Sequence, residues 1–256
     1  MSKIANAFDH GKAFIGFVTG GDPTLELSEQ YILAMARAGA DLIEIGIPFS
    51  DPIAEGATIQ EANLRALRAG STVEKIFGLA GRARAQIQTP LVFLTYLNPV
   101  YRYGYEAFFA RCAAVGVDGI IIPDLPFEEQ GELRDICAAN GVDLISLIAP
   151  TSKQRIAEIA RCATGFLYAV SSMGVTGVRS ELNSGLPGMI QLAKATAKIP
   201  VAVGFGVSSP AQAKAIAQYA DGVIVGSAIV KLVEQYGEAA EPHIDRYVRE
   251  MKQAIG

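Results

Sequence analysis

The chain has 256 residues, half of them hydrophobic and 19% charged, with a formal charge of −4. That length and apolar fraction can supply the core of one large α/β domain and exclude a disordered chain. The negative balance argues against a nucleic-acid or anionic-membrane surface, no run of roughly eighteen apolar residues is present to cross a bilayer, and the opening MSKIANAFDHGKAF lacks an apolar signal core, which reads as a cytoplasmic start.

In chain order, AFIGFVTGGDP (13–23) reads as a strand entering a Gly-Gly turn, with Asp22 capping the next helix and Pro23 at its first position. That helix closes at Gly39. The stretch DLIEIGIPFSDPIAEGATIQ (41–60) follows. Its β-branched run is the signature of a strand buried on both faces, yet Glu44 interrupts it. After Gly46 and Pro48 a loop carries Ser50, Asp51 and Glu55. Desolvation of Glu44 would lift its pKa to where a carboxyl both gives and takes a proton near neutrality. A carboxylate satisfied by backbone donors or a neighbouring cation fits the same stretch, and the sequence leaves both open.

Thr58 and Glu61 have capping-box spacing for a helix through residue 69, and Ser71 with Glu74 for one through residue 85. PLVFLTY (90–96) is a third strand, ended by Asn98-Pro99. YEAFFARCAAVG is helical, VDGIIIPD (117–124) a fourth strand, and a helix runs from Phe127 to Gly141. VDLISLIAP is the fifth strand. Thr151 with Gln154 caps the next helix, GFLYAVSS is the sixth strand, and residues 173–185 form a long polar loop. IPVAVGFG is the seventh strand, a helix capped by Ser209 with Pro210 follows, and DGVIVGSAIV is the eighth.

A helix-ending phrase recurs as AGAD, VGVD, NGVD and, more loosely, YADG, each a C-cap running into an Asp before a strand. Eight strand–helix units in this length are the anatomy of a (β/α)8 TIM barrel in a single domain, here with an N-terminal helical extension; a doubly wound open sheet is the rival. In a barrel the C-terminal strand ends would gather Phe17, Glu44, Leu94, Tyr96, Asp124, Tyr168 and Phe205, a pocket for a flat, mostly apolar ring with a polar handle. Cys112, Cys137 and Cys162 recur with the structural units and read as structural thiols.

Glycine turns at Gly174–Gly177, Gly204–Gly206 and Gly226-Ser227 follow strands, the last two opening helices. Backbone N–H groups at such turns bind phosphate, although the glycines also suit turns alone. GFGVSS half-matches a dinucleotide fingerprint but has Ser209 in place of its third glycine. The two histidines, His10 and His243, lie near the chain ends, which disfavours a His-ligated metal or a His base. No Lys stands on the C-terminal half of a strand for Schiff-base chemistry. Carboxylate acid–base chemistry on an aromatic, phosphate-bearing substrate remains.

The motifs GFVTGGDPT, EIGIPFSDPIAEG, YLNPV, PDLPFEE, SSMGVTGVR, GFGVSSP and VGSAIV, in this order over nearly the whole chain, resemble the tryptophan synthase α-subunit family. The resemblance implies a carbon–carbon lyase that splits indole-3-glycerol phosphate into indole and glyceraldehyde 3-phosphate. Indole would pass to a β subunit in an α2β2 assembly, with pyridoxal phosphate confined to that partner and no cofactor or metal in this chain. By motif, Glu44 is the acid/base and Glu55 the carboxylate that stabilises charge at the indole nitrogen. Thr176 and Gly177 belong to a closing loop. Gly206, Gly226 and Ser227 hold phosphate, while Phe17, Leu94, Tyr96, Asp124, Tyr168 and Phe205 form the pocket and Asp51 belongs to a partner-sensing loop. Glu55 stands where Asp is most usual and Ala57 where Pro is usual, departures expected to alter and loosen that loop. A free-standing lyase and a weakly catalytic subunit that activates its β partner are the alternatives.

Overall fold

A computed structural model describes residues 3–150, 153–170, 185–204 and 206–256 of the protein. Eight parallel strands close on themselves: β1 (Ala13–Thr19), β2 (Leu42–Gly46), β3 (Leu91–Leu94), β4 (Gly119–Ile121), β5 (Asp143–Ile148), β6 (Leu167–Val170), β7 (Val201–Gly204) and β8 (Gly222–Val225). Each pairs with its sequence neighbours, and β8 returns to β1 with Ile224 opposite Ile15. That closure makes the sheet a TIM barrel and rules out the doubly wound alternative.

The strand pleat sorts the side chains. Ile15, Leu42, Val92, Ile121, Ile145, Tyr168, Ala202 and Ile224 fill the barrel interior, whereas Ile43, Ile45 and Phe93 face the helices. The expected N-terminal extension includes a 3-10 turn at Ala5–Phe8, where Ile4 and Ala7 join the interior cluster. Around the barrel run α1 (Leu25–Arg37), α2 (Ala57–Arg68), α3 (Val73–Arg84), α4 (Leu97–Tyr103), α5 (Tyr105–Val115), α6 (Gly131–Ala139), α7 (Lys153–Cys162), α8 (Leu186–Thr196), α9 (Pro210–Ala217), α10 (Ser227–Tyr236) and α11 (Glu241–Ile255).

The recurrent helix-to-Asp phrase is a clamp at the N-terminal face. Asp41, just before β2, accepts a hydrogen bond from the Phe14 N–H at 2.6 Å in β1 and another from Lys252 Nζ at 2.8 Å. Asp118, before β4, accepts the N–H of Leu91 in β3 at 2.9 Å and pairs with Arg84 at 2.7 Å. Asp221, before β8, accepts the N–H of Val201 in β7 at 3.0 Å and pairs with Lys194 at 2.6 Å. Each carboxylate therefore accepts an N–H near the start of the preceding strand and is itself balanced by a cation.

Several expected caps move. Thr24, not Asp22, caps α1 by accepting the Leu27 N–H at 3.2 Å; Asp22 is buried and forms a forked pair with Arg65 of α2, both contacts at 2.9 Å. The Thr58–Glu61 box does not form, because α2 already begins at Ala57 behind Gly56. Thr72 caps α3 one residue later than expected, since the Ser71 N–H still bonds the Ala66 carbonyl and finishes α2. Pro99 does not end an element: it sits in the first turn of α4, where no intrahelical donor is required. The segment expected to begin as a helix at Phe127 is first a 3-10 turn, Phe127–Glu129. SAIV leaves the eighth strand and becomes the start of α10. Ser209 caps α9 with Pro210 at its first position as expected, and Gln212 completes a capping box that was not foreseen, whereas Thr151 lies outside the described residues. Cys112 and Cys137 are buried on α5 and α6, but Cys162, the last residue of α7, is exposed; all three are free thiols.

Candidate active site

The C-terminal strand ends surround a cavity of about 670 Å³, a volume that includes its open mouth. Of the expected residues, Phe17, Glu44, Glu55, Leu94, Tyr168, Gly206, Gly226 and Ser227 line it. Thr176, Gly177 and Phe205 lie outside the described residues.

Glu44 enters the barrel because the pleat that sends Ile43 and Ile45 outward turns Leu42 and Glu44 inward. It stands opposite Phe17 across the β1–β2 ladder. Two glycines make space beside it. A Cβ on Gly46 would come within 2.7 Å of the Phe17 ring, and one on Gly204 within 2.3 Å of the Tyr168 hydroxyl oxygen. Glu44 is 1% exposed, and its Oε1 has no hydrogen-bond partner among the described residues. Donors or a cation that would make it a merely structural acid are therefore missing from its described surroundings. Burial pushes its pKa up to about 8. Tyr168 is buried nearby; desolvation first, and then the Glu44 charge, hold its phenol well above the usual range, so it remains protonated.

Glu55 is buried by a different arrangement. Its Oε2 accepts a hydrogen bond from Asn63 Nδ2 at 2.6 Å, and its main-chain oxygen accepts one from Gln60 Nε2 at 2.7 Å. Burial raises its pKa to about 7, opposed by hydrogen bonds from Asn63 and Tyr96. Tyr96 is not on the cavity wall. It stands behind Glu55, its hydroxyl also accepting the Ala54 N–H at 3.1 Å. Asp124 is likewise off the wall: its Oδ1 accepts the Leu97 N–H at 2.9 Å, at the start of α4. Tyr96 stands where the chain turns into α4 directly after β3, and Asp124, after β4, is engaged by the first residue of that helix. Asp51 is exposed in the loop between β2 and α2, with Ser50 Oγ donating to it at 2.5 Å.

The apolar walls include Ile59, Ile121, Leu147 and Ile224, which sequence reasoning did not single out. Alternation along β4, β5 and β8 was the available signal. Asn63 was also missed. It sits in the Ile59, Ala62, Asn63, Ala66 stripe of α2, a polar residue where helical periodicity calls for an apolar one. Gly206, at φ +85, and Gly226 with Ser227 at the start of α10 turn backbone toward the cavity. The first N–H groups of a helix lack intrahelical acceptors and favour an anion. Among the described residues no cluster of His, Cys, Asp or Glu is arranged to hold a metal ion.

A family model described as tryptophan synthase alpha chain matches residues 4–255. The tryptophan synthase alpha chain of Lacticaseibacillus casei is 46% identical, over 100% of this chain and 96% of its own length. That of Geobacillus kaustophilus is 50% identical, covering 87% and 83%. Among solved structures, Mycobacterium tuberculosis tryptophan synthase gives a TM-score of 0.91 at 37% identity, covering 99% of this chain and 98% of that one. The tryptophan synthase α2β2 complex of Pyrococcus furiosus gives 0.88 at 38%, covering 95% and 99%. Motifs, closed barrel and similarity along the full length agree, and the chain belongs to the tryptophan synthase alpha chain family.

Proposed function

We propose that Glu44 moves the proton in this family's reaction, the retro-aldol cleavage of indole-3-glycerol phosphate to indole and glyceraldehyde 3-phosphate. The observation that carries the assignment is a carboxyl, 1% exposed, whose Oε1 has no hydrogen-bond partner among the described residues, on the wall of a largely apolar cavity. With a pKa near 8 it is mostly protonated at neutral pH and begins as an acid. It protonates the indole carbon that bears the glycerol chain. The resulting carboxylate takes the proton of the adjacent glycerol hydroxyl as the carbon–carbon bond breaks. That bond's electron pair restores the aromatic ring, and the hydroxyl carbon becomes the aldehyde. Indole is a poor leaving group as a carbanion, so protonation at carbon lowers the barrier.

Glu55 stabilises the positive charge that this protonation places on the ring nitrogen. Phe17, Leu94, Tyr168 and Phe205 flank the ring, and Tyr96 and Asp124 act from behind, through Glu55 and the start of α4. Gly206, Gly226 and Ser227 hold the phosphate with backbone donors, while Thr176 and Gly177 belong to a segment that closes the site. In this proposal the chain is a single barrel domain, works in the cytoplasm without a cofactor of its own, and passes indole to a pyridoxal-phosphate-dependent β subunit in an α2β2 assembly. Supporting that partner, Asp51 and Ile53 are exposed in the loop between β2 and α2, and Ile53 is 73% exposed. No described helix is long and apolar enough to cross a membrane.

The test is Glu44→Gln, which keeps shape and removes the titrating group. Indole release should fall by ~10²–10⁴-fold, the range of general acid–base catalysis, with glycerol phosphate affinity unchanged. A variant that keeps more than about a tenth of the activity returns Glu44 to a structural role.

A further inference from the structure

We infer that Asn63 is a positioning residue that aims the Glu55 carboxylate into the cavity and favours its ionised form, an inference that rests on the proposed service of Glu55 to the ring nitrogen. The geometry is a buried amide against a buried acid. Asn63 is 3% exposed and Glu55 6% exposed, and Nδ2 stands 2.6 Å from Oε2. On either side of Asn63 along the stripe are Ile59, Ala62 and Ala66, so an apolar residue would pack there without the cost of burying an amide. The amide is retained where its donor meets the acid.

The same helix holds the acid's backbone. Gln60, one turn into α2, donates to the Glu55 carbonyl at 2.7 Å, so side chain and main chain are gripped from one rigid element. Glu55 has one methylene more than Asp, a difference of roughly 1–1.5 Å in reach. A fixed donor at Asn63 defines where that longer arm ends.

The bond also governs charge. A neutral acid offers no negative charge to a cationic ring nitrogen, and burial drives Glu55 toward neutrality. Donation by Asn63 works against burial. The other titratable groups around Glu55 are Tyr96 behind it, Asp124 acting on Tyr96, and Glu44 and Tyr168 on the cavity wall; no Lys, Arg or His lines the cavity among the described residues. Asn63 and Tyr96 are thus the donors opposing protonation of this acid.

Asn63→Leu removes the donor while keeping the number and branching of side-chain heavy atoms. With Tyr96 intact, the acid limb of the kcat/KM profile for indole release should move up by roughly one pH unit, the value of one hydrogen bond to a charged group. At neutral pH kcat should drop while glycerol phosphate affinity holds, a split that general loosening would not give. A second test exchanges the methylene. Glu55→Asp should lower activity because the shorter acid no longer reaches Asn63, and adding Asn63→Gln should restore most of the loss. This second pair keeps a donor in the core, so it decides the matter even if Asn63→Leu fails to fold. An unmoved acid limb in Asn63→Leu, or a double variant no faster than Glu55→Asp alone, overturns the positioning role. Full activity in Glu55→Ala instead overturns the role of Glu55 on which it rests.

Discussion

Glu44 and Glu55 are both withheld from water, but one is left without a described donor and the other is tethered, and this separates an acid from an electrostatic partner at one pH. The first was legible in the sequence because a carboxylate interrupting a β-branched run has no surface to retreat to. The tether was not, since one Asn in an amphipathic helix looks like the edge of its polar face until α2 is docked. Burial of Glu44 has a consequence for stability. Its folded pKa, about 8, lies above the ordinary 4.5, so between those values the unfolded chain has released a proton that the folded chain retains. The unfolded state is therefore favoured increasingly as pH rises through that window. The stabilising contribution is fully present below 4.5 and lost by about 8. Glu44→Gln should flatten the alkaline fall in Tm, and melting curves across the window check it; parallel curves for parent and variant would contradict this burial. Glu55 adds the same sign over a narrower window, up to about 7.

At the level of elements, α2 joins the site to the rest of the barrel. Its N-terminal half grips Glu55, while Arg65 further along forks onto buried Asp22 in the turn after β1. Arg65→Leu strands that carboxylate and should cost roughly 2–4 kcal/mol in urea unfolding, less than a fully buried pair because Arg65 is partly exposed. Element identity was readable from hydrophobic period, but caps were displaced by one or two residues. Overlapping polar residues offer several registers of the same box, and backbone closure of the preceding helix selects among them, as at Ser71 and Thr72. The expected loosening at position 57 takes a different form: Ala57 is the first residue of α2, the position a Pro would suit, so the substitution falls inside the helix start. The Asp clamps belong to this scale too. Asp118→Ala leaves Arg84 Nη2 and the Leu91 N–H without this acceptor, although Arg84 keeps the Gly116 and Ile87 carbonyls, and should cost ~2–3 kcal/mol, with kcat unchanged because the clamp is at the face opposite the cavity; a large loss of kcat in the folded variant would count against that separation.

Across the whole molecule the two barrel ends have separate duties, charge-balanced clamps at the N-terminal end and apolar walls with two raised carboxyls at the other. Counting strand–helix units was enough to bring Phe17, Glu44 and Tyr168 to the second end, whereas the clamping role of the repeated Asp and the place of Leu147 on the wall emerge only in the closed barrel. Indole release measured with and without a tryptophan synthase β subunit tests the outer surface. Stimulation should be substantial, and Ile53→Asp should reduce it while sparing the isolated chain; equal rates with and without the partner would favour a free-standing lyase. The barrel's closing seam bears on synthesis. β1 leaves the ribosome long before its neighbour β8, and Asp41 long before the Lys252 ammonium that meets it. Until then the nascent chain presents a raw sheet edge and a carboxylate whose final counter-ion does not yet exist. Helix α11 acts as a latch on an otherwise finished ring, and chains released before it is translated are the ones a cell must shield from strand-to-strand aggregation.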